Sequence, residues 1–380
     1  MITNSMITEK IKRNIKNIGA DLREYPAQGN GIYFTDRDKR LKLGHIFNWT
    51  QSFFTGMAYW AYVDTGDREI LDWMLSFEQI YYDKVFKTPL ETMHDLGFLY
   101  IPYAVALYKL TGSERMKDMG IKAADELAKR FNPKGDYIRA WGRMDYKTPE
   151  YVDPELAKDH FFTESKGLAI IDCMMNIPLL FWAGKVTGSR FYERIAMAHA
   201  DTTMKYFIRE DFSVKHSYVF SEETGEPIGE KAYCGYGIGS YWARGTAWAI
   251  YGFMCTYKYT KEEKYLDLSK KLLGRFMEEC HGDIPVWDFR LPDNEPKKKD
   301  TSALAIVLSA VNELIKTEKS DKLERFRTEM TEKLMNYIDI SAETDGLMKG
   351  QNGEDVYAVY GDYYLVEYLF GRKYPDAVIW

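Results

Sequence analysis

The sequence predicts an all-α protein, an (α/α)6 barrel closed as a six-hairpin toroid, with a short β-hairpin and loop near one mouth. Three observations predict it. Six apolar, small-residue segments recur along the chain, each introduced by a polar or aromatic signature. Most of them stop at a turn and lead into a charged segment. The charged segments carry one apolar stripe, which suits a helix covering a surface, whereas the segments apolar on all sides suit buried helices. Repeated helical hairpins either stack as an open solenoid or close into a ring. The open stack is the alternative, because the repeat is irregular.

The elements follow in order. The start, MITNSMITEKIKRNIKNIGADL, has Ile and Leu at helical spacing between charges and reads as an amphipathic helix, not a signal peptide. The first inner helix is SFFTGMAYWAYV after Asn48-Trp49-Thr50, with its turn at Asp64-Thr65-Gly66-Asp67. The second is LGFLYIPYAVALYKL after His94-Asp95, stopping at Thr111-Gly112. The third lies in residues 167–188, holds Asp172 and stops at Thr187-Gly188. The fourth is TAWAIYGFMCTYKYT after Trp242-Ala243-Arg244-Gly245. The fifth is ALAIVLSAVNELI after Asp300-Thr301-Ser302, and the sixth is YYLVEYLF after Gly361-Asp362. In a closed ring Trp49, Asp95, Asp172, Arg244, Asp300 and Asp362 converge on one mouth. Helix N-termini also favour carboxylates, so some of these aspartates are candidate caps, Asp300 and Asp362 above all.

Two regions break the pattern. Residues 143–163 are polar, carry two prolines and read as a surface insertion or lid. Residues 208–241 alternate like strands around the turn SEETGEP, followed by the glycine-rich GYGIGSYW. That run lacks both the GxGxxG spacing and a following GK[ST], which argues against nucleotide binding.

Composition narrows the function. A net charge of −6 argues against a nucleic-acid partner, which needs a basic face. No segment approaches the length of an apolar membrane span. Four cysteines without CxxC spacing read as reduced thiols of a cytoplasmic protein. The 15% aromatic content suits a core, and also suits sugar sites, where flat rings stack on pyranose faces. The six histidines, His45, His94, His160, His199, His216 and His281, form no HxH or HExxH, and none pairs with a cysteine at zinc spacing. No metal and no cofactor are expected. No GxSxG elbow supports a serine hydrolase.

What remains is a pair of carboxylates, Asp95 and Asp172, each shortly before a proline of an inner helix, Pro102 and Pro178. Pro178 suits the first turn of a helix, which puts Asp172 at the helix mouth; on a helix Asp172 and Asn176 share a face. A carboxylate among Ile170, Ile171, Met174 and Met175 is costly to desolvate unless it is paired or used. A capping or core-satisfied aspartate is the plainer reading. Paired carboxylates also serve glycosidic chemistry, one kept protonated and one ionised. Asp172 has the more apolar neighbours and is expected to carry the raised pKa. Arg244, flanked by Trp242 and Trp248, suits a clamp for a substrate carboxylate; its alternative is an ion pair to another inner-helix acid.

His94-Asp95-Leu-Gly-Phe, Ile171-Asp172-Cys-Met-Met-Asn, Trp242-Ala-Arg-Gly-Thr-Ala-Trp248 and Tyr360-Gly-Asp-Tyr-Tyr resemble the unsaturated glucuronyl hydrolases, glycoside hydrolase family 88. The match runs from about Trp49 to the C-terminus. The resemblance implies one glycoside hydrolase domain over residues 1–380, an (α/α)6 barrel and no metal. It implies a substrate left by polysaccharide lyases, an oligosaccharide of glycosaminoglycan type with a 4,5-unsaturated uronic acid at its non-reducing end. The C4–C5 double bond is hydrated, and the resulting hemiketal opens and expels the rest of the sugar. The resemblance assigns Asp172 as general acid/base and Asp95 as the assisting carboxylate. It assigns Trp49, His94, Trp141, His216, Trp242, Arg244 and Trp248 to the substrate. Two departures stand out: Tyr233-Cys234 in place of the family's His-Gln, and Thr246 where glutamine is common. The rivals are an unsaturated rhamnogalacturonyl hydrolase acting on pectin fragments, and a toroid that binds sugars without turnover. An isomerase would need histidine pairs at the mouth, for which only His94 and His216 qualify.

Overall fold

The computed structural model describes residues 2–19, 31–33, 49–148, 152 and 154–380. His45 and Asn48 lie outside the described residues, as do 149–151 and 153 of the 143–163 insertion. The inner helices are α2 (Ser52–Thr65), α5 (Leu96–Tyr100) continuing into α6 (Ala106–Thr111), α9 (Pro178–Thr187), α11 (Ala243–Thr260), α13 (Thr301–Thr317) and α15 (Val359–Lys373). Each packs against the next, and α15 packs back against α2, so the ring is closed rather than an open stack. Outside them lie α3 (Arg68–Leu75), α4 (Glu78–Phe86), α7 (Glu114–Ala128), α10 (Arg190–Phe207), α12 (Glu263–Cys280) and α14 (Asp321–Met335). The N-terminal helix α1 (Asn4–Ile18) packs on α2 and α15 and closes the outer ring. Its buried Lys10 ammonium donates to Gly346 O at 2.6 Å and Asp339 O at 2.9 Å, tying the helix to the loop before α15.

A Thr-Gly pair ends three of the inner helices, and the same chemistry explains each end. Gly66, Gly112 and Gly188 take the left-handed conformation, with φ of 67°, 67° and 72°. The preceding threonine bonds back into its own helix. The side chain of the residue after the glycine then caps the outgoing helix: Asp67 on Glu69 N, Ser113 on Met116 N, Ser189 on Phe191 N. One short signal both stops the inner helix and starts the outer one.

The ring encloses a packed aromatic core, not a pore. Phe53, Phe98, Trp248, Tyr364 and Trp380 are buried and in mutual ring contact, with centroids 5.2–6.2 Å apart along the Phe53–Phe98–Trp248–Tyr364 and Trp380 contacts. Most of the aromatic content belongs to such packing.

Three sequence readings need correction. The third inner segment is not helical from its start. Leu168–Ile170 form strand β3, Ile171–Met175 a 3-10 turn, and only Pro178 opens α9. Asp172 and Asn176 therefore share a tight turn rather than an α-helical face. The expected hairpin, β4 (Ser217–Phe220) with β5 (Pro227–Lys231), is real, and β3 joins it as a third antiparallel strand. A second small hairpin, β1 (Phe131–Asn132) with β2 (Tyr137–Ile138), follows α7. The second inner helix passes through a π-helical turn, Ile101–Val105, because Pro102 has no N–H to donate.

The turn that carries Asp172 packs directly on α11. A Cβ added at Gly252 would lie 2.5 Å from Met174 Cβ and 2.7 Å from Met174 O. Gly252→Ala is expected to cost about 1–3 kcal/mol of stability. Gly274 on α12 has nothing within 4 Å of its virtual Cβ, so Gly274→Ala is expected to stabilise by about 0.5–1 kcal/mol. Urea unfolding of the two variants beside wild type measures both signs.

Candidate active site

Asp95 sits at the N-cap position of α5, and Asp172 on the 3-10 turn before α9, at the same end of the ring. Asp95 is buried at 9% side-chain exposure and Asp172 is partly buried at 15%. Burial and then the charge of Asp172 push the Asp95 carboxyl up to about 8, against opposing pulls from Arg130 and the Asn176 side chain. Burial raises Asp172 to about 6; Arg244, its own backbone N–H and the Trp248 indole hold it down. The expectation that Asp172 carries the more raised value is thereby corrected. Both are raised, and Asp95 is the higher, because the Arg244 charge favours ionised Asp172 while ionised Asp172 disfavours a second charge on Asp95. Near neutral pH the pair holds one proton, mainly on Asp95.

Two histidines face the two acids in matching fashion. His94 Nδ1 accepts the Trp141 N–H at 3.3 Å, and its Nε2 lies 3.3 Å from Asp95 Oδ1. His216 Nδ1 accepts N–H bonds from Tyr233 at 3.2 Å and Cys234 at 3.1 Å, leaving Nε2 3.8 Å from Asp172 Oδ2. Burial drives His94 far below its ordinary value and His216 to about 3. Each is a neutral imidazole, and its Nε2 lies near a carboxyl group without hydrogen-bonding to it. Asp172 Oδ2 is buried without a hydrogen-bond partner among the described residues.

Arg244, near the start of α11, has its Nη1 2.9 Å from Asp300 Oδ2, so the ion-pair reading holds. Its guanidinium also lies 4.8 Å from the Trp242 ring and 5.0 Å from the Tyr360 ring. Asp300 is completely buried and accepts from Ser302 N at 3.1 Å and Ala303 N at 3.3 Å, so it caps α13 while holding the arginine. The cap reading of Asp362 fails in detail. Its carboxylate turns inward to Tyr33, Leu347 N, Met348 N and Gln351 Nε2, and it fixes the loop before α15.

The aromatic candidates divide. Trp49 is half-buried and stacks on Tyr360 with centroids 5.1 Å apart. Trp242 meets His216 edge-on at 5.1 Å. Trp248 is completely buried between Phe98 and Tyr364, so it is no stacking surface; its indole N–H weakly favours ionised Asp172 without hydrogen-bonding to it. Trp141 holds a left-handed backbone, φ 50°, uncommon for a bulky residue. It packs on Phe161 at 4.7 Å, Tyr233 at 4.8 Å and His160 at 5.0 Å. Helix α8 (His160–Thr163) brings His160 and Phe161 there from the insertion, and Glu164 just after it takes Lys231 Nζ at 2.7 Å and Tyr233 Oη at 2.8 Å.

Of the two departures, Thr246 is buried and bonded to Trp242 O at 3.0 Å, internal to α11. Cys234 is at the site: burial and the Asp172 charge push its thiol up to about 12, so it stays neutral. All four cysteines are free. Sequence reasoning missed Arg130. It is buried and donates to the carbonyls of Thr92, Arg139, Trp141 and Gly142, bracing the segments that carry His94 and Trp141. Nothing marks it in the sequence, where it ends an ordinary charged helix. Among the described residues no group of three or more His, Cys, Asp or Glu side chains is arranged to hold a metal, and no helix is long and apolar enough to cross a membrane.

Residues 32–256 match the sequence profile of Glycosyl Hydrolase Family 88. An unsaturated chondroitin disaccharide hydrolase from Streptococcus pyogenes serotype M1 is 32% identical over 355 residues, covering 90% of this chain and 84% of its own. The crystal structure of the unsaturated glucuronyl hydrolase from Bacillus sp. GL1, described as responsible for the degradation of glycosaminoglycan, matches with a TM-score of 0.85. The identity is 27%, over 99% of this chain and 97% of that one. The crystal structure of an unsaturated glucuronyl hydrolase specific for heparin gives a TM-score of 0.80 at 25% identity, over 99% and 97% of the two chains.

The buried acid pair has a thermodynamic signature. With Asp95 at about 8 when folded and near 3.9 when unfolded, the folded state binds the extra proton between these values. Stability therefore falls as pH rises through that window. Asp95→Asn is expected to be more stable than wild type by about 1–3 kcal/mol at pH 9, with the gain vanishing toward pH 4. Thermal melts of both proteins across that range measure it.

Proposed function

We propose that this chain, which belongs to Glycosyl Hydrolase Family 88, removes a 4,5-unsaturated uronic acid from the non-reducing end of small glycosaminoglycan fragments by hydrating the C4–C5 double bond. The observation that carries this reading is the Asp95–Asp172 pair at one end of the ring, both carboxyls raised by burial and Asp95 the higher, beside an arginine framed by two aromatic rings. The names of the relatives support the substrate class, since they specify chondroitin disaccharide, glycosaminoglycan and heparin. Those names favour the glycosaminoglycan reading over a pectin-fragment hydrolase.

The chemistry follows from the charges. Arg244 receives the uronate carboxylate, with Trp242, Tyr360 and Trp49 bounding the subsite. In the empty site Arg244 holds Asp172 down. A bound carboxylate cancels that cation and adds a negative charge nearby, so Asp172 takes up a proton. It delivers that proton to C4. The positive charge that develops at C5 and the ring oxygen faces the resulting carboxylate. Water adds to C5 and gives its proton back to Asp172, so one group serves as acid and then base. The C5 hemiketal opens, and the anomeric carbon releases the remaining sugar. Asp95, protonated, and the neutral His94 and His216 imidazoles line the site without adding charge. Trp141, His160 and Tyr233 form the wall for the released sugar, with the insertion acting as its cover. We further propose that residues 1–380 act as one catalytic unit in a reducing, cytoplasmic setting, which the four free cysteines support.

The test follows the ultraviolet absorbance of unsaturated uronyl disaccharides from unsulfated and sulfated chondroitin, hyaluronan, heparin and pectin. Wild type is expected to consume the conjugated absorbance of the glycosaminoglycan members. Asp172→Asn is expected to lower kcat about 10²–10⁴-fold with an unchanged melt. Arg244→Lys is expected to raise KM by about 10-fold or more, because a lysine loses the planar paired contact. No absorbance change on any substrate would leave a toroid that only binds sugars.

A further inference from the structure

The two acids hang on two separate backbone segments, and these segments meet at Asn176. Asn176 is completely buried. Its Oδ1 accepts the Phe98 N–H at 2.9 Å, in the first turn of the helix that Asp95 opens. Its Nδ2 donates to the Asp172 carbonyl at 3.2 Å. The same side chain favours ionised Asp95. The backbones touch at the same place: a Cβ added at Gly97 would lie 2.4 Å from Asn176 Cα and 2.6 Å from Asn176 O.

We propose that Asn176 is a positioning residue for the hydration reaction, its amide and its contact with Gly97 setting the separation of the Asp95 and Asp172 carboxyl groups. This rests on the function proposed above. Two carboxyl groups on independent elements drift apart or collapse together unless something fixes both, and their coupling changes steeply with distance. A carboxamide suits the task. One end accepts from α5, the other donates to the 3-10 turn, and no charge is added beside two acids. The other groups that face the pair are His94, Arg130 and Cys173 around Asp95, and Arg244, His216 and Cys234 around Asp172. None of these joins the two backbones as Asn176 does.

Two variants test it. Asn176→Asp keeps the shape and the acceptor for Phe98 N–H, but loses the donor and places an acid between the pair. The expected result is a kcat lowered about 10–100-fold, a KM within about threefold of wild type, and an alkaline limb of kcat/KM moved up by half a pH unit or more. Gly97→Ala keeps every hydrogen-bonding group and pushes the segments apart. It should also lower kcat, but move the alkaline limb down, because the two acids then repel less. Opposite movements of the limb support the positioning role. Loss of activity and melting temperature with both limbs in place means a structural role only and overturns it, and so does wild-type kcat in either variant. If Asn176→Asp fails to fold, Gly97→Ala decides alone. Carboxyl NMR titration of ¹³C-aspartate in the free proteins reads the same two shifts without substrate. A wild type inert toward every disaccharide then counts against the proposed reaction and leaves the positioning role to be judged by the titration.

Discussion

Two carboxyl groups buried side by side cannot both be ionised at ordinary pH, and the arrangement of this end of the barrel answers that constraint. One proton stays with the pair, mainly on Asp95. A single cation, Arg244, is brought close enough to favour the ionised form of Asp172, and that cation is itself anchored by Asp300. His94, His216 and the Cys234 thiol beside them are neutral, and burial keeps them so; Arg130 pulls Asp95 the other way, but burial and the Asp172 charge outweigh it. The site is balanced with one net exchangeable proton.

The closed ring makes such burial possible. The aromatic layer of Phe98, Trp248 and Tyr364 packs the interior of the barrel. The helix ends place the remaining polar groups. Asp95 stands at an N-cap and Arg244 in a first turn. Asp300 is both the cap of α13 and the partner of Arg244, so its removal would loosen a helix and release a charge together. Fold and site share these residues, and neither can be altered alone.

That sharing decides what could be read from the sequence. The inner and outer helices were legible because each reports on itself: the Thr-Gly stops and caps are local, and an all-apolar helix differs in pattern from a striped one. The strand Leu168–Ile170 was not legible, since Leu-Ala-Ile reads equally well as the opening of a buried helix. Only its pairing with Ser217–Val219 makes it a strand. The candidate acids, the arginine and the two histidines were legible by type and position. Their electrostatic order was not. Ranking by apolar neighbours in sequence put Asp172 first, but the deciding neighbour, Arg244, comes from a different helix hairpin. Arg130 escaped notice for a related reason: its partners are four backbone carbonyls, which no side-chain pattern announces.

The electrostatic order in the empty site bears on why a uronic acid is the fitting substrate. With Asp172 at about 6, the group proposed to protonate C4 is mostly ionised before substrate arrives. A neutral sugar leaves Arg244 paired with Asp300 and still favouring ionised Asp172, the form that cannot donate. A carboxylate on Arg244 removes the cation that held the proton off and brings a negative charge of its own, so the acid is loaded in the act of binding. By linkage, whatever protonates Asp172 must tighten the grip on the carboxylate to the same degree. The substrate carboxylate is then a handle and a switch at once. Asp95, higher than Asp172 and already protonated, does not compete with it for the negative role, which leaves Asp172 free to change state through the reaction.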